Sequence, residues 1–432
     1  MSAEILTIGD ELLRGEIVDS NKSYLSDRLL SLDIETRFHT SVRDDPEDMT
    51  EAFRRAGERS EIVLVSGGLG PTRDDLTIEV LARTFGRELV LHEPSLVAIR
   101  TFFERFGRTM AKNNEKQAWF PEGAEVLPNP VGTAPGILLR EGESLFFCMP
   151  GVPRELYLMM NEQVLPRIAA ARRGRRVVRS RLLRTFGMGE SNLDELLGDV
   201  ASDGDVVLGF RTSFPDNFLR PLARGATAEE ADAKLARVVA TIRERLGPMV
   251  YGEGEQTLED VVGVRLRNAG RTLAVAESCT GGLLAERITS VAGASDYFLG
   301  GVVAYANEAK VALLGVGEEV LAEHGAVSAA VACAMAEGVR ERFGADFGVA
   351  TTGISGPGGG TADKPVGTVW IGVSQEGSVH AESFLFPFER ERHRQVTTQV
   401  ALDWIRRALL GEALVAPRYL RQATRSGARS EP

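Results

Sequence analysis

Cysteine and histidine are scarce in this chain of 432 residues. The three cysteines, Cys148, Cys279 and Cys333, and the five histidines, His39, His92, His324, His380 and His393, are scattered without metal-ligand spacing. That excludes a disulfide framework and a structural zinc site, and it suits a reducing, cytoplasmic setting. Long apolar runs are missing too. No stretch approaches the roughly 20 residues that span a membrane, and the N-terminus enters a strand directly instead of opening with a signal-peptide pattern. Positive charge is in deficit: a formal charge of -11 argues against an overall nucleic-acid-binding role. No internal repeat is evident. What is present, 43% apolar and 26% charged residues, is enough for two or three cores.

The most informative stretch is Ala276-Glu277-Ser278-Cys279-Thr280-Gly281-Gly282. An apolar run from Thr272 to Val275 predicts a buried strand before it, and an amphipathic run from Leu283 to Val291 predicts a helix after it. A hydroxyl on such a turn would stand beside unpaired backbone N–H groups at the helix N-terminus, where an oxyanion could be stabilised. Ser and Thr there are more often helix caps and a buried Cys is more often core, so this segment alone does not decide. A second strand ends at Gly300-Gly301-Val302-Val303-Ala304-Tyr305, with Asn307 and Lys310 one turn later. A lysine held there would be partly desolvated, its pKa lowered, and usable as base for a serine. A third strand, Asp346 to Thr351, feeds a glycine loop with Thr352, Gly353, Ser355, Gly356 and Gly358.

In their order, these blocks resemble the C-terminal amidase domain of the CinA family, from about Thr257 to Leu410. The resemblance implies deamidation of nicotinamide mononucleotide to nicotinate mononucleotide and ammonia, without a cofactor. Ser278 would be nucleophile and Lys310 base, with Tyr305 and Thr280 nearby. Gly281, Gly282, Thr352, Gly353, Gly356 and Gly358 would contact substrate, and Arg394 is the choice for its phosphate, unless Arg390, Arg392 and Arg394 form only a solvated face. Ser355 stands where the family usually has Ala.

The N-terminal part carries its own glycine loop. The β-branched run Ile62 to Val65 predicts a strand buried on both faces, followed by Ser66-Gly67-Gly68-Leu69-Gly70-Pro71-Thr72-Arg73-Asp74-Asp75. Glycines let amides approach a phosphate, and a helix beginning near Asp74 would add its positive end. Asp74 and Asp75, with Asp44 or Asp45, could hold the cation that carboxylates beside a phosphate require, although Asp45 also reads as a plain helix cap. The polar segments carrying Asn21, Asn113, Lys116, Gln117, Thr133 and Glu155 show no periodicity and read as loops. As a set, Met1 to Arg167 resembles the N-terminal domain of the same family and its molybdopterin-binding-like fold, with Asp33 where Gly is usual. The resemblance implies an ADP-ribose pyrophosphatase that uses a divalent metal, Mg, Mn or Co, and binds substrate through these residues and Gly67, Gly68, Gly70 and Thr72.

The predicted architecture is α/β in three domains: 1–170, a mainly parallel sheet covered on both faces; 171–255, similar to the KH-like middle domain of the family; and 256–412, the α/β amidase domain. A tail, 413–432, is expected to be disordered. The middle domain lacks the G-x-x-G loop with which KH domains grip RNA, reading Gly187-Met188-Gly189-Glu190 instead. Its arginines, Arg172 to Arg184, read as a solvated linker and a charge-protected edge strand more readily than as a groove for nucleic acid. A homodimer is expected from the resemblance. The competing classes are a nucleotide sensor without catalysis, which would need no Ser278–Lys310 pair, and a pterin-binding protein, which would leave the C-terminal half unexplained.

Overall fold

The computed structural model describes residues 1–172, 176–201 and 204–415. It divides into two compact units, one made of Met1–Arg179 with Ala223–Ala233, the other of Ser180–Leu222 with the chain from Lys234 onward.

In the first unit, the strands Thr36–Val42, Ala3–Ile8, Ile62–Ser66 and Ser144–Met149 run parallel as neighbours, and Gly136–Glu141 and Glu125–Leu127 extend the sheet antiparallel. Ala3–Ile8, Ile62–Ser66 and Ser144–Met149 are buried along their whole length, as strands covered on both faces must be. Helices Ser20–Leu30 and Pro46–Arg59 follow the first two strands in alternation, and two apolar cores lie on opposite faces. The predicted helix at Asp74 begins instead at Thr77. Thr77 is fully buried, and its hydroxyl donates to the Gly67 carbonyl at 2.8 Å, so the chain must first bend back over the glycines. Lys112–Ala118, expected as a loop, is a 3-10 helix, whose three-residue period leaves no amphipathic signature. Asp33 sits in the left-handed region at φ 55° and its carboxylate accepts from Arg224 at 2.6 Å.

In the second unit, the KH-like sheet runs in the order Val206–Ser213, Asp216–Gly225, Leu183–Thr185, Val250–Glu253. The helix Ala228–Leu246 opens with the Thr227 hydroxyl accepting from Glu230 N–H. The arginine-bearing segment expected as an edge strand forms two short strands, Val177–Ser180 and Leu183–Thr185. Arg179 pairs with Asp232, Arg181 with Glu253, and Arg184 donates to Gly254 O while lying over the Phe218 ring. Arg173 and Arg175, and the expected tail from residue 416 on, lie outside the described residues.

The C-terminal sheet has the order Phe298–Val303, Leu273–Glu277, Phe347–Gly353, Thr368–Gln375, Ser378–Leu385. Its first three strands are parallel and the last two antiparallel. Helix Arg390–Leu410 closes one face with Trp404, Val400 and Val396 in the core, and Ala329–Phe343 closes the other with Val331, Met335 and Val339. The carboxyl ends of the three parallel strands thus deliver Glu277-Ser278, Ala304-Tyr305 and Thr352-Gly353 to one edge, where ligands of open α/β sheets bind. Among the described residues no helix is long and apolar enough to cross a membrane.

Candidate active sites

Ser278 and Lys310 meet. The lysine sits in the first turn of helix Asn307–Leu314, almost fully buried, and its Nζ lies 3.2 Å from Ser278 Oγ, 3.0 Å from Ala304 O and 3.1 Å from Tyr305 O. The two carbonyls can only accept. A neutral amine has two N–H bonds and one lone pair, so the carbonyls take both hydrogens and the lone pair is left to the Ser278 hydroxyl. Burial lowers the Lys310 pKa below that of an ordinary lysine, against smaller opposing effects of Cys279 and Glu308. The same burial pushes the Cys279 thiol up to about 12, so no thiolate competes with the serine.

The turn carrying Ser278 is held from three sides. Glu277, itself buried, accepts N–H bonds from Gly282, Leu284 and Ala285 at 3.0, 3.0 and 2.8 Å. Gly281 and Gly282 take left-handed φ of 59° and 96°, which a side chain would strain. Thr280 and Thr351 hydroxyls bond at 2.7 Å, and Arg394 clamps Thr280 O through Nε and Nη2 at 3.0 and 2.7 Å. A cavity of about 210 Å³ opens over Ser278, lined also by Asn307, Thr352, Gly353, Ser355 and Arg390. Arg390 bridges Gly356 O at 2.9 Å and the Tyr305 hydroxyl at 3.2 Å. Behind the cavity, buried His393 accepts or donates to Ser355 Oγ at 2.9 Å and reaches Gly367 O at 3.2 Å.

In the N-terminal unit the loop Ser66 to Asp75 is the focus of side chains from distant segments. Gly67 and Gly68 adopt φ of 108° and 65°, and a Cβ on Gly68 would sit 2.2 Å from Thr77 Oγ1. Asn21 donates to Ser66 Oγ and Gly151 O, Gln117 to Leu69 O, Asn113 to Pro71 O, and Lys116 to Thr72 O and Asp75 O. Two buried acceptors there, Asn21 Oδ1 and Gln117 Oε1, have no hydrogen-bond partner among the described residues. Asp75 braces the loop by accepting from Thr72 N–H and hydroxyl, against Gly70, which has no room for a Cβ. Asp74 is held below the usual carboxylate range, first by the Thr72 hydroxyl and, among smaller effects, by Lys116. Asp44 is raised, by burial first and then by the like charges of Asp10, Glu11 and Asp74. A cavity of about 200 Å³ lies between Gly68, Asp75 and Lys116.

Three family models match the chain in series. They are described as probable molybdopterin binding domain over residues 4–170, damage-inducible protein CinA KH domain over 180–252, and CinA C-terminal domain over 255–409. A CinA-like protein of Dictyoglomus thermophilum is 44% identical over 411 residues, covering 95% of this chain and 100% of its own. The chain belongs to the CinA family. Another CinA-like protein, from Anaeromyxobacter, is 47% identical over 413 residues, 95% of this chain and 99% of that one. Among solved structures, the competence/damage inducible protein CihA from Agrobacterium tumefaciens is 41% identical over 35% of this chain and 93% of its own, with a TM-score of 0.34.

Measured against the expectations, this CinA chain joins Ser278, Lys310, Tyr305, Thr352 and Gly353 around one cavity. Thr280, Gly281, Gly282 and Arg394 shape the turn instead of lining the cavity, and nothing lies close to the Cβ position of Gly358. The helix N-terminus that was to face an oxyanion is not open: Glu277 fills it, because a buried carboxylate needs donors and three unpaired N–H groups are at hand. The arginine expected to meet a phosphate lies elsewhere. Arg394 is spent on Thr280 O, and Arg390, one turn earlier on the same helix, faces the cavity. In the other unit Asp45 caps helix Pro46–Arg59, accepting from Glu47 and Asp48 N–H, and so leaves the expected cation set. Asp75 is a brace. Among the described residues no three Asp, Glu, His or Cys side chains gather to hold a metal. Thr133 lines a second cavity next to the first, and Glu155 lies against Gly132 and Asn129. Sequence reasoning missed Arg390, His393, Thr77 and the cap formed by Glu277; of these only Arg390 gave a signal, its one-turn spacing from Arg394.

Proposed function

We propose that this CinA-family chain is a hydrolase whose C-terminal site deamidates nicotinamide mononucleotide. The observation that carries the reading is Ser278 Oγ at 3.2 Å from a buried Lys310 Nζ whose other two neighbours are carbonyls. Ser278 attacks the carboxamide carbon while its proton passes to Lys310. The tetrahedral intermediate then collapses, the C–N bond breaks, and Lys310 returns the proton to the departing ammonia. Water, deprotonated by the same amine, cleaves the acyl-serine to nicotinate mononucleotide. Arg390, with the Tyr305 hydroxyl, is placed at the cavity to meet the substrate phosphate. A nucleotide sensor would require none of this pair. The test is ammonia release from nicotinamide mononucleotide: Ser278→Ala should remove it and Cys279→Ala should largely spare it, and the reverse ranking would sink the assignment.

For the N-terminal site we propose hydrolysis of ADP-ribose to AMP and ribose 5-phosphate. Its support is the glycine loop with two orphaned acceptors, Asn21 Oδ1 and Gln117 Oε1, that a ligand's hydroxyls can satisfy. The donors near the loop are hard carboxylate oxygens, which suit Mg, Mn or Co. Since no three such groups converge among the described residues, one or two of them, Asp74 with Asp44, would hold the ion together with the diphosphate. The bound ion would neutralise the bridging oxygens. The two activities would serve pyridine-nucleotide recycling in the cytoplasm, by a homodimer.

A further inference from the structure

The space at the glycine loop, about 200 Å³, accommodates a diphosphate but not a whole nucleoside diphosphate sugar. A second cavity of about 630 Å³ adjoins it, with Pro135 lining both. Helix Glu93–Arg105 contributes Ala98, Ile99 and Phe102 to this second cavity, and the segment 126–135 contributes prolines and Thr133. The Phe102 ring is tilted against Phe106, 5.2 Å away, and Phe106 is largely exposed. His92 is held at Nδ1 by Ser95, 2.8 Å from its hydroxyl and 3.3 Å from its N–H, and its ring adds a polar edge to the wall.

We propose that this second cavity takes the purine ring of the nucleotide whose diphosphate lies on Gly67 to Gly70. The proposal rests on the ADP-ribose reading and adds which end of the substrate goes where. The ribose 5-phosphate half carries charge and hydroxyls, and Arg105, exposed at the last residue of the helix, is the one Lys or Arg in a lining otherwise rich in proline, aliphatic and aromatic carbon, so burying that half against it is costly. A purine is flat, stacks on aromatic and proline surfaces, and needs only a few polar groups at its edge, here Thr133 and His92. The wall is also built in advance. Asn129 donates to Ala134 O at 2.9 Å and Glu155 Oε2 at 2.7 Å and accepts from Val131 N at 3.2 Å, and a Cβ on Gly132 would come within 2.1 Å of Glu155. Glu155 therefore positions the wall and does not bind the substrate. The sugar phosphate then extends to the open side of the glycine loop.

The full chain tests this with two variants. Ala98→Trp fills the cavity from the exposed face of its helix, and Phe102→Ala removes the ring. Each should raise the KM for ADP-ribose about tenfold and weaken AMP binding in calorimetry by a similar factor. Inhibition by inorganic pyrophosphate, which needs only the glycine loop, should keep its constant. Unchanged KM and AMP affinity in both variants overturns the proposal, and so does a parallel loss of pyrophosphate inhibition. A wild-type chain that binds no AMP, or binds a pterin more tightly than AMP, overturns it as well. The two readings separate cleanly: AMP bound by the wild type and lost in Ala98→Trp, with no cleavage of ADP-ribose, upholds the cavity assignment and removes only the hydrolase activity.

Discussion

The two candidate sites differ in how much of each is finished before a ligand arrives. At the C-terminal site the proposed nucleophile and base already touch inside protein, and Lys310 Nζ lies within hydrogen-bond distance of the Ser278 hydroxyl and two carbonyls. At the N-terminal site side chains are tied to the loop, two amide oxygens wait unpaired, and acidic groups repel one another near Asp44. The difference follows from the chemistries proposed. A serine is a poor nucleophile unless a base is held against it, so that pair must be preorganised. A diphosphate brings its own charges and oxygen ligands, so a site for it can leave part of its coordination to the substrate.

The comparison is broken most sharply at Lys310. Lys310→Arg should cost the amidase about ten-thousandfold in kcat, since a guanidinium does not give up its proton, while ADP-ribose cleavage is untouched. The wild-type amidase rate should rise with pH, because the base works only when neutral, through an apparent pKa below that of an ordinary lysine. A rate that falls over that range would remove the lysine from its role.

The mirror experiment is Asp74→Asn, with an expected loss of about a hundredfold or more in ADP-ribose cleavage and none in deamidation. Persistence of wild-type cleavage after thorough chelation would show that this site needs no ion and that the contrast is misdrawn.

Smaller effects sharpen the C-terminal half. Arg390→Ala should raise KM for the mononucleotide about tenfold and leave turnover of free nicotinamide alone, whereas Arg394→Ala should lower kcat on both by loosening the turn at Thr280. Equal behaviour of the two variants would return both arginines to a common surface role. The smallest effect is on stability. Burial, opposed by the Gly367 carbonyl and aided by the Arg390 charge, lowers His393 to about 4, and Ser355 and the Phe386 ring complete its surroundings. The unfolded chain then takes up the proton first, so stability is lost as pH falls from the ordinary histidine value of 6.5 towards 4. His393→Gln should flatten that part of the stability profile, by up to about 3 kcal/mol, in denaturant titrations at matched pH.

Strand ends were the most legible parts of both sites. Ser278, Lys310, Gly67 and Gly353 follow short apolar runs whose periodicity identifies a strand and whose termination identifies the edge of a sheet. What sequence could not separate was neighbours with equivalent spacing: Arg390 and Arg394 share one helix face, and only packing assigns one to the cavity and one to the turn. Nor could it show a carboxylate changing partners. Asp75 has the composition of a ligand and accepts instead from Thr72, whereas the cap formed by Asp45 could be read from the sequence. The 3-10 segment Lys112–Ala118 hid for a simpler reason, having no apolar stripe of its own.

Glu277 carries one last consequence. Its carboxylate, one residue before Ser278, accepts the amides of Gly282, Leu284 and Ala285 at the start of helix Leu283–Thr289. Three of the amides beside Ser278 are thereby occupied, and the turn is tied to the strand end that precedes it. The position of Ser278 is therefore set by a residue that does not line the cavity, and a change that redirected this one side chain would part Ser278 from Lys310 without altering either of them.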